Sequence, residues 1–282
     1  MRGRLETLLR RIIPSAALLT RNPVVGRLLD VIDRILGAPY PEFRALPPNR
    51  FRVRVGVGNR LLLNQASFLE YGAHTWIGIF SERWAGRTSD ILDIGSGCGR
   101  TAHAVKLSDA FTGFYTGIDV DVEMVDWCRA NFPPERFAFI HADVYSALYN
   151  PGGLSGPYEL PLPAESQDLV ISQSLFTHLL QEDLEQYVRE SFRVLRVGGV
   201  MVMSVFCLEH LSKLAGSAER WSFKHRRGES HLESLAFPEA AVGYEGEYLL
   251  RVSRQAGFAE VELRERGVPQ SFLICRKSVS AG

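Results

Sequence analysis

The sequence predicts an α/β protein: a seven-stranded, mostly parallel sheet with helices on both faces and a helical extension ahead of it. Three observations predict this. Between Asp90 and Phe206, short apolar runs of strand length alternate with segments of helical period, the pattern of βαβ units. The runs are almost continuously apolar, as in strands covered on both faces. Two further strand-like runs close the chain with Gly267 and Pro269 between them, which reads as an antiparallel pair.

Taken in order, residues 1–85 lack the alternation and read as an N-terminal helical cap. Helical patterns cover Leu5–Ile13 and Val24–Leu36, a Pro-rich stretch runs from Pro39 to Pro48, and a helical run follows from Leu61 to Trp84. Residues 86–282 form the main domain. Its first five strands are expected at Asp90–Ile94, Phe114–Asp119, Phe137–His141, Leu169–Gln173 and Val200–Phe206. Helices are expected at Arg100–Leu107, Val122–Asn131 and Glu182–Leu195, the last carrying Leu184, Val188, Phe192 and Leu195 on one stripe and ended by Gly198-Gly199. The turn-rich run Asn150–Pro163 replaces the third connecting helix by an irregular loop. Residues 207–243 wander without a clear element, before a helix at Glu245–Ala256 and strands at Val261–Arg266 and Phe272–Arg276.

Composition sets broad limits. The chain has 282 residues, 46% of them hydrophobic, and a formal net charge of +0. That balance argues against bulk nucleic-acid binding. Cys98, Cys128, Cys207 and Cys275 have no paired short spacing, which excludes a zinc ribbon by pattern and fits reduced thiols in the cytoplasm. No segment reaches the roughly 18 apolar residues of a membrane span. The stripe Leu5, Leu8, Leu9 and Ile12, with Arg2, Arg4, Arg10 and Arg11 around it, has two readings. One is a helix packed on the main domain. The other is peripheral contact with an anionic membrane through residues 1–36.

The most informative stretch is Ile91-Leu92-Asp93-Ile94-Gly95-Ser96-Gly97-Cys98-Gly99-Arg100. Glycines directly after a buried strand let the backbone turn sharply and approach a ligand, with the next helix presenting its N-terminus. A dinucleotide fingerprint would need glycine where Arg100 stands. The stretch instead resembles the first motif of class I S-adenosylmethionine-dependent methyltransferases, a Rossmann-like fold. Asp168–His178 resembles their post-strand motif and Arg193–Gly199 their helix-ending signature. The resemblance covers residues 90–206.

It implies an enzyme that uses S-adenosyl-L-methionine. Asp93 would support the turn or the cofactor amino group, and Gly95, Ser96, Gly97, Cys98 and Gly99 would form the wall. Asp119, twenty positions beyond Gly99, would accept both ribose hydroxyls at its strand tip; its other reading is a helix N-cap, which Asp121 suits better. Asp143 would end the third strand and meet the adenine amino group. Val120, Val144 and Ser172 complete the implied cofactor set.

The acceptor is less defined. A hydroxyl acceptor gains from a general base, and His178 follows the fourth strand on the cofactor side. Its competing reading is a structural histidine. The segment with Trp221, Phe223, His225, Arg226, Arg227, Glu229 and His231 reads as an acceptor cover suited to a polar ring. No carboxylate or cysteine array supports a metal there. The expected acceptor is a small molecule or glycan, methylated on oxygen. The alternatives are a non-catalytic cofactor-binding scaffold, or methylation of RNA or protein.

Overall fold

A computed structural model describes residues 22–55, 62, 64–146, 150–216 and 220–278. The pattern at Leu5–Ile13 lies outside the described residues. Strands β1 (Asp90–Ile94), β2 (Phe114–Asp119), β3 (Phe137–His141), β4 (Gln167–Ser172) and β5 (Leu195–Cys207) stand in the order β3-β2-β1-β4-β5, all parallel. Helices α4 (Arg100–Lys106), α5 (Val122–Asn131) and α6 (Gln181–Val194) join them. In β1 every residue from Ile91 to Ile94 is buried. Side chains alternate between two cores. Leu92, Ile94, Val170, Met201 and Met203 face Leu184 and Val188 of α6. Ile91, Leu169, Ile171, Val200 and Val202 face Ala102 and Val105 of α4 and Val125 of α5.

Among the described residues the sheet has ten strands, not the expected seven. The difference arises because β5 is long enough to serve two neighbours. Val200–Val205 pair antiparallel with β10 (Ser271–Arg276), which in turn pairs with β9 (Glu260–Arg264). Beyond that, Phe206 and Cys207 pair in parallel with β8 (Val242–Tyr244), next to β7 (Ser230–Leu232) and β6 (His225–Arg227). These three short strands, with helix α7 (Leu208–Lys213), occupy the segment whose sequence pattern was too short and polar to read. Helix α8 (Gly246–Gln255) follows.

The glycines Gly198-Gly199 do not end α6. The helix stops at Val194 and β5 begins at once. Gly198 takes φ +85 inside the strand, donating its N–H to the Lys277 carbonyl at 2.6 Å. The third connection contains no helix among its described residues. It is tied down by α6, where Arg193 donates to the carbonyls of Leu160 (2.8 Å) and Leu162 (2.9 Å).

Ahead of the sheet lie α1 (Pro23–Gly37), α2 (Asn49–Arg52) and α3 (Gln65–Ser81), the last shorter than the Leu61–Trp84 run. Asn22 caps α1 by accepting from the N–H groups of Val24 (3.0 Å) and Val25 (3.2 Å). The buried ion pair Arg52–Asp33 binds α2 to α1, with Arg52 Nε also donating to Asn64 at 2.8 Å. Helix α3 places Trp76 and Ile79 in the core beside α4. At Gly72 the helices come so close that a Cβ would stand 2.5 Å from the Arg100 carbonyl oxygen.

Candidate active site

The strand-to-helix turn after β1 is built on three glycines in the left-handed region: Gly95 (φ +79), Gly97 (φ +54) and Gly99 (φ +78). Other residues pay a steric penalty there. The turn hangs on the tip of β2. Gly95 and Ser96 donate to the Ile118 carbonyl at 2.8 and 3.0 Å. Gly97 N–H donates to Asp119 Oδ2 at 2.7 Å, and Asp121 N–H donates to Asp119 Oδ1 at 2.9 Å. Asp119 therefore clamps the turn and, with about four lone-pair sites on a carboxylate, can still accept from a ligand. Enclosure raises its pKa to about 6, although both backbone bonds pull it down.

Asp121 is the N-cap of α5, accepting from Met124 N–H at 3.3 Å. Its second oxygen takes Arg54 Nη1 at 2.9 Å. Ser96 Oγ is buried and has no hydrogen-bond partner among the described residues, the situation of a donor held for a ligand. Opposite it, a Cβ on Gly117 would stand 2.7 Å from that oxygen, so β2 must be bare here.

Asp93 is buried and accepts from the Tyr115 hydroxyl across the strand pair. Burial raises its pKa to about 6 against that bond and the nearby Arg100 charge. Ser172, at the end of β4, is buried and donates to the Ile94 carbonyl at 2.7 Å. Cys98 behaves differently from its neighbours. Its side chain packs with Leu46, Phe51, Phe68 and Met124, and burial pushes the thiol up to about 12. Only its backbone is available to the turn.

The tips of β1, β2 and β4 thus bring together Asp93, the glycine turn, Asp119, Val120 and Ser172. Asp143 and Val144 stand slightly apart. The third strand ends at His141, so Asp143 is not its last residue. Ala142 N–H reaches the Asp119 carbonyl at 2.9 Å, and Asp143 follows in an exposed position. Its Oδ1 accepts from Asn150 Nδ2 at 3.2 Å, and the same amide donates to the Val144 carbonyl at 3.1 Å.

Several contributors were not legible beforehand. Val55 covers the turn so closely that a Cβ on Gly97 would lie 2.6 Å from its Cγ1. Arg100 reaches the Val55 carbonyl (3.4 Å) and Gln173 Oε1 (3.2 Å), and lies over the Tyr71 ring at 5.5 Å. Gln173 in turn donates to Thr75 at 2.6 Å. The alternating arginines of Arg50-Phe51-Arg52-Val53-Arg54 were the available signal. Three arginines so close, each finding an acid on another element, mark a segment folded onto the domain.

His178 sits in the turn after β4, three residues past Leu175, whose Cβ lies 3.2 Å from where a Gly95 Cβ would be. Its Nδ1 is 2.8 Å from the Glu239 carbonyl. A carbonyl only accepts, so Nδ1 carries the proton and Nε2 keeps its lone pair. Burial lowers the ring pKa, opposed by the carbonyls of Glu239 and Ala240. Beyond it, Trp221 and Phe223 stack with 5.9 Å between centroids and meet Phe206. His225, Arg226 and Arg227 are exposed, Arg226 pairing with Glu229 at 3.4 Å. His231 Nε2 lies 3.6 Å from Glu245 Oε1.

Residues 92–203 match the family model described as a methyltransferase domain. A "probable S-adenosylmethionine-dependent methyltransferase" of Mycolicibacterium smegmatis is 33% identical over 187 residues, covering 66% of this chain and 63% of that protein. The arsenite methyltransferase of Rattus norvegicus is 31% identical over 116 residues, 40% of this chain and 30% of that protein. Among solved structures, an S-adenosylmethionine-dependent methyltransferase of Methanosarcina mazei has TM-score 0.51 at 17% identity, covering 71% of this chain and 98% of its own. One from Mesorhizobium loti has TM-score 0.50 at 19% identity, with 73% and 99% covered. At these identities the structures show the fold alone. The chain spans less than two thirds of the length of either sequence relative. Fold, turn and matches agree on a domain similar to S-adenosylmethionine-dependent methyltransferases, with the sequence match to a methyltransferase domain over residues 92–203.

Proposed function

We propose that the protein transfers the methyl group of S-adenosyl-L-methionine to a hydroxyl oxygen of a small-molecule or glycan acceptor. The observation that carries the cofactor half is the glycine turn clamped on Asp119 beside the buried Ser96 Oγ, which has no partner among the described residues. Asp119 would accept from the ribose hydroxyls with its free lone pairs. Gly95, Gly97 and Gly99 would present bare backbone, with Asp93, Val120 and Ser172 shaping the strand-tip crevice and Asp143 with Val144 at its β3 side. Cys98 would contribute its backbone only. When bound, the cofactor supplies an electrophilic methyl group on a sulfonium.

The rest is alignment and proton handling by the chain. His178 would take the proton an acceptor hydroxyl gives up at Nε2, its ring fixed in the competent tautomer by the Glu239 carbonyl. The lowered pKa keeps the ring neutral at physiological pH. Residues 207–243 would form the acceptor side with Trp221 and Phe223, and the turn after α2 would close the cofactor side through Val55 and Arg54. The test is transfer of labelled methyl groups to a panel of glycans and phenols, with amines as controls. His178→Ala should lower kcat about 10²–10⁴-fold with cofactor affinity unchanged. The acid limb of the native pH profile should inflect below 6.5, because only the neutral ring accepts a proton. Normal turnover in folded His178→Ala would refute the base.

A further inference from the structure

Helix α1 is amphipathic in an unusual sense. Val24, Leu28, Val31 and Ile35 follow one another at spacings of four, three and four, a single stripe along a helix. That stripe faces solvent, with exposures of 74%, 59%, 55% and 67%. Ile32, Leu36 and Tyr40 widen it, all of them exposed. The opposite face, turned to the protein, is small or acidic: Gly26, Asp30, Asp33 and Gly37. Both acids are consumed there, Asp30 by Arg50 and Asp33 by Arg52. Gln65 Nε2 adds a further bond to Asp33 at 2.8 Å. The helix is therefore attached to the domain by ion pairs, and its apolar side is left outward. An exposed apolar stripe of this length on a folded domain marks a surface that meets something.

Charge selects the occupant. The exposed charges of α1 are Arg27 and Arg34, seven residues apart and flanking one edge of the stripe. The 22 residues up to Asn22 hold Arg2, Arg4, Arg10, Arg11 and Arg21 against the single acid Glu6. An apolar stripe bordered by arginines, with every acid of the helix turned inward, complements an anionic lipid surface. A second copy fits less well. Antiparallel pairing of two α1 stripes sets arginines near arginines, with no exposed acid on the helix to meet them. Among the described residues no helix is long and apolar enough to cross a membrane, so the contact is with the interface. We propose that α1 docks the protein on anionic membranes, its stripe entering the headgroup boundary and Arg27 and Arg34 meeting lipid phosphates and carboxylates. The proposal does not depend on methyl transfer.

Co-sedimentation of the full chain with vesicles tests it, comparing phosphatidylcholine alone with phosphatidylcholine containing phosphatidylserine. Binding to the anionic vesicles is expected, weakening as salt rises. Leu28→Ala with Ile35→Ala should lower partitioning at least about tenfold, from the apolar area lost. Arg27→Gln with Arg34→Gln should lower it about thirty-fold, at roughly 1 kcal/mol per arginine. All four side chains are exposed, so melting should be unchanged. Equal binding to both vesicle types, or full retention by both double variants, would overturn the proposal. So would a dimer by sedimentation equilibrium that Leu28→Ala with Ile35→Ala dissociates.

Discussion

Replacing Asp119 by alanine separates its two tasks, because the structure lets each be sized. The carboxylate accepts two backbone N–H groups, Gly97 at 2.7 Å and Asp121 at 2.9 Å. Removing it leaves both donors without that partner, at about 1–3 kcal/mol each. Against this stands the cost of burying the charge, which raises the pKa to about 6 even with those two bonds in place. The terms oppose each other, so Asp119→Ala should melt within a few degrees of the native protein. Cofactor binding has no such offset. Two charge-assisted bonds to ribose hydroxyls, about 1.5–3 kcal/mol each, correspond to a loss of about 10²–10⁴-fold in affinity. Calorimetric titration with S-adenosylmethionine and S-adenosylhomocysteine, alongside a melting curve, reads both quantities. Protonation should mimic the mutation: native affinity should fall as pH drops below about 6. A folded Asp119→Ala protein that binds either ligand normally would show that Asp119 is only a clamp for the turn.

Gly97→Ala should cost about 1–2 kcal/mol for its left-handed φ of +54, plus a clash with Val55, whose Cγ1 would be 2.6 Å from the new Cβ. Adding Val55→Ala should recover the clash and not the strain, whereas Gly152→Ala, in open space, should stay within about 0.5 kcal/mol of native in urea unfolding. Asp93 makes a pH prediction of definite sign. Its folded pKa of about 6 is raised, so between the usual carboxylate value and about 6 the folded state binds more protons than the unfolded one. Its stabilising contribution is present at low pH and lost as pH rises through about 6, amounting to about 3 kcal/mol. Asp93→Asn should flatten that part of the stability profile; an unchanged slope would place the effect on other groups.

The sequence by itself determined the order of the main elements, because burial on both faces of a parallel sheet leaves continuous apolar runs. Asp90–Ile94, Phe114–Asp119 and Phe137–His141 are found with the bounds their composition predicts. The glycine turn was equally legible, since three glycines after a strand have few other uses. What the sequence could not carry is pairing between segments far apart. The three short strands β6, β7 and β8 are stabilised by the overhang of β5, not by a local pattern. Gly198-Gly199 read as a helix end because a positive φ serves a strand irregularity as readily as a cap. The partners of the site residues were set by folding alone. Tyr115 meets Asp93 because both stand on the same face of neighbouring strands, Val55 reaches Gly97 from forty-two positions earlier, and the Glu239 carbonyl orients His178 from sixty-one positions later. Only the tertiary structure also decided which way α1 faces. Its periodicity marks an apolar side, but the ion pairs of Asp30 and Asp33 with Arg50 and Arg52 turn that side outward.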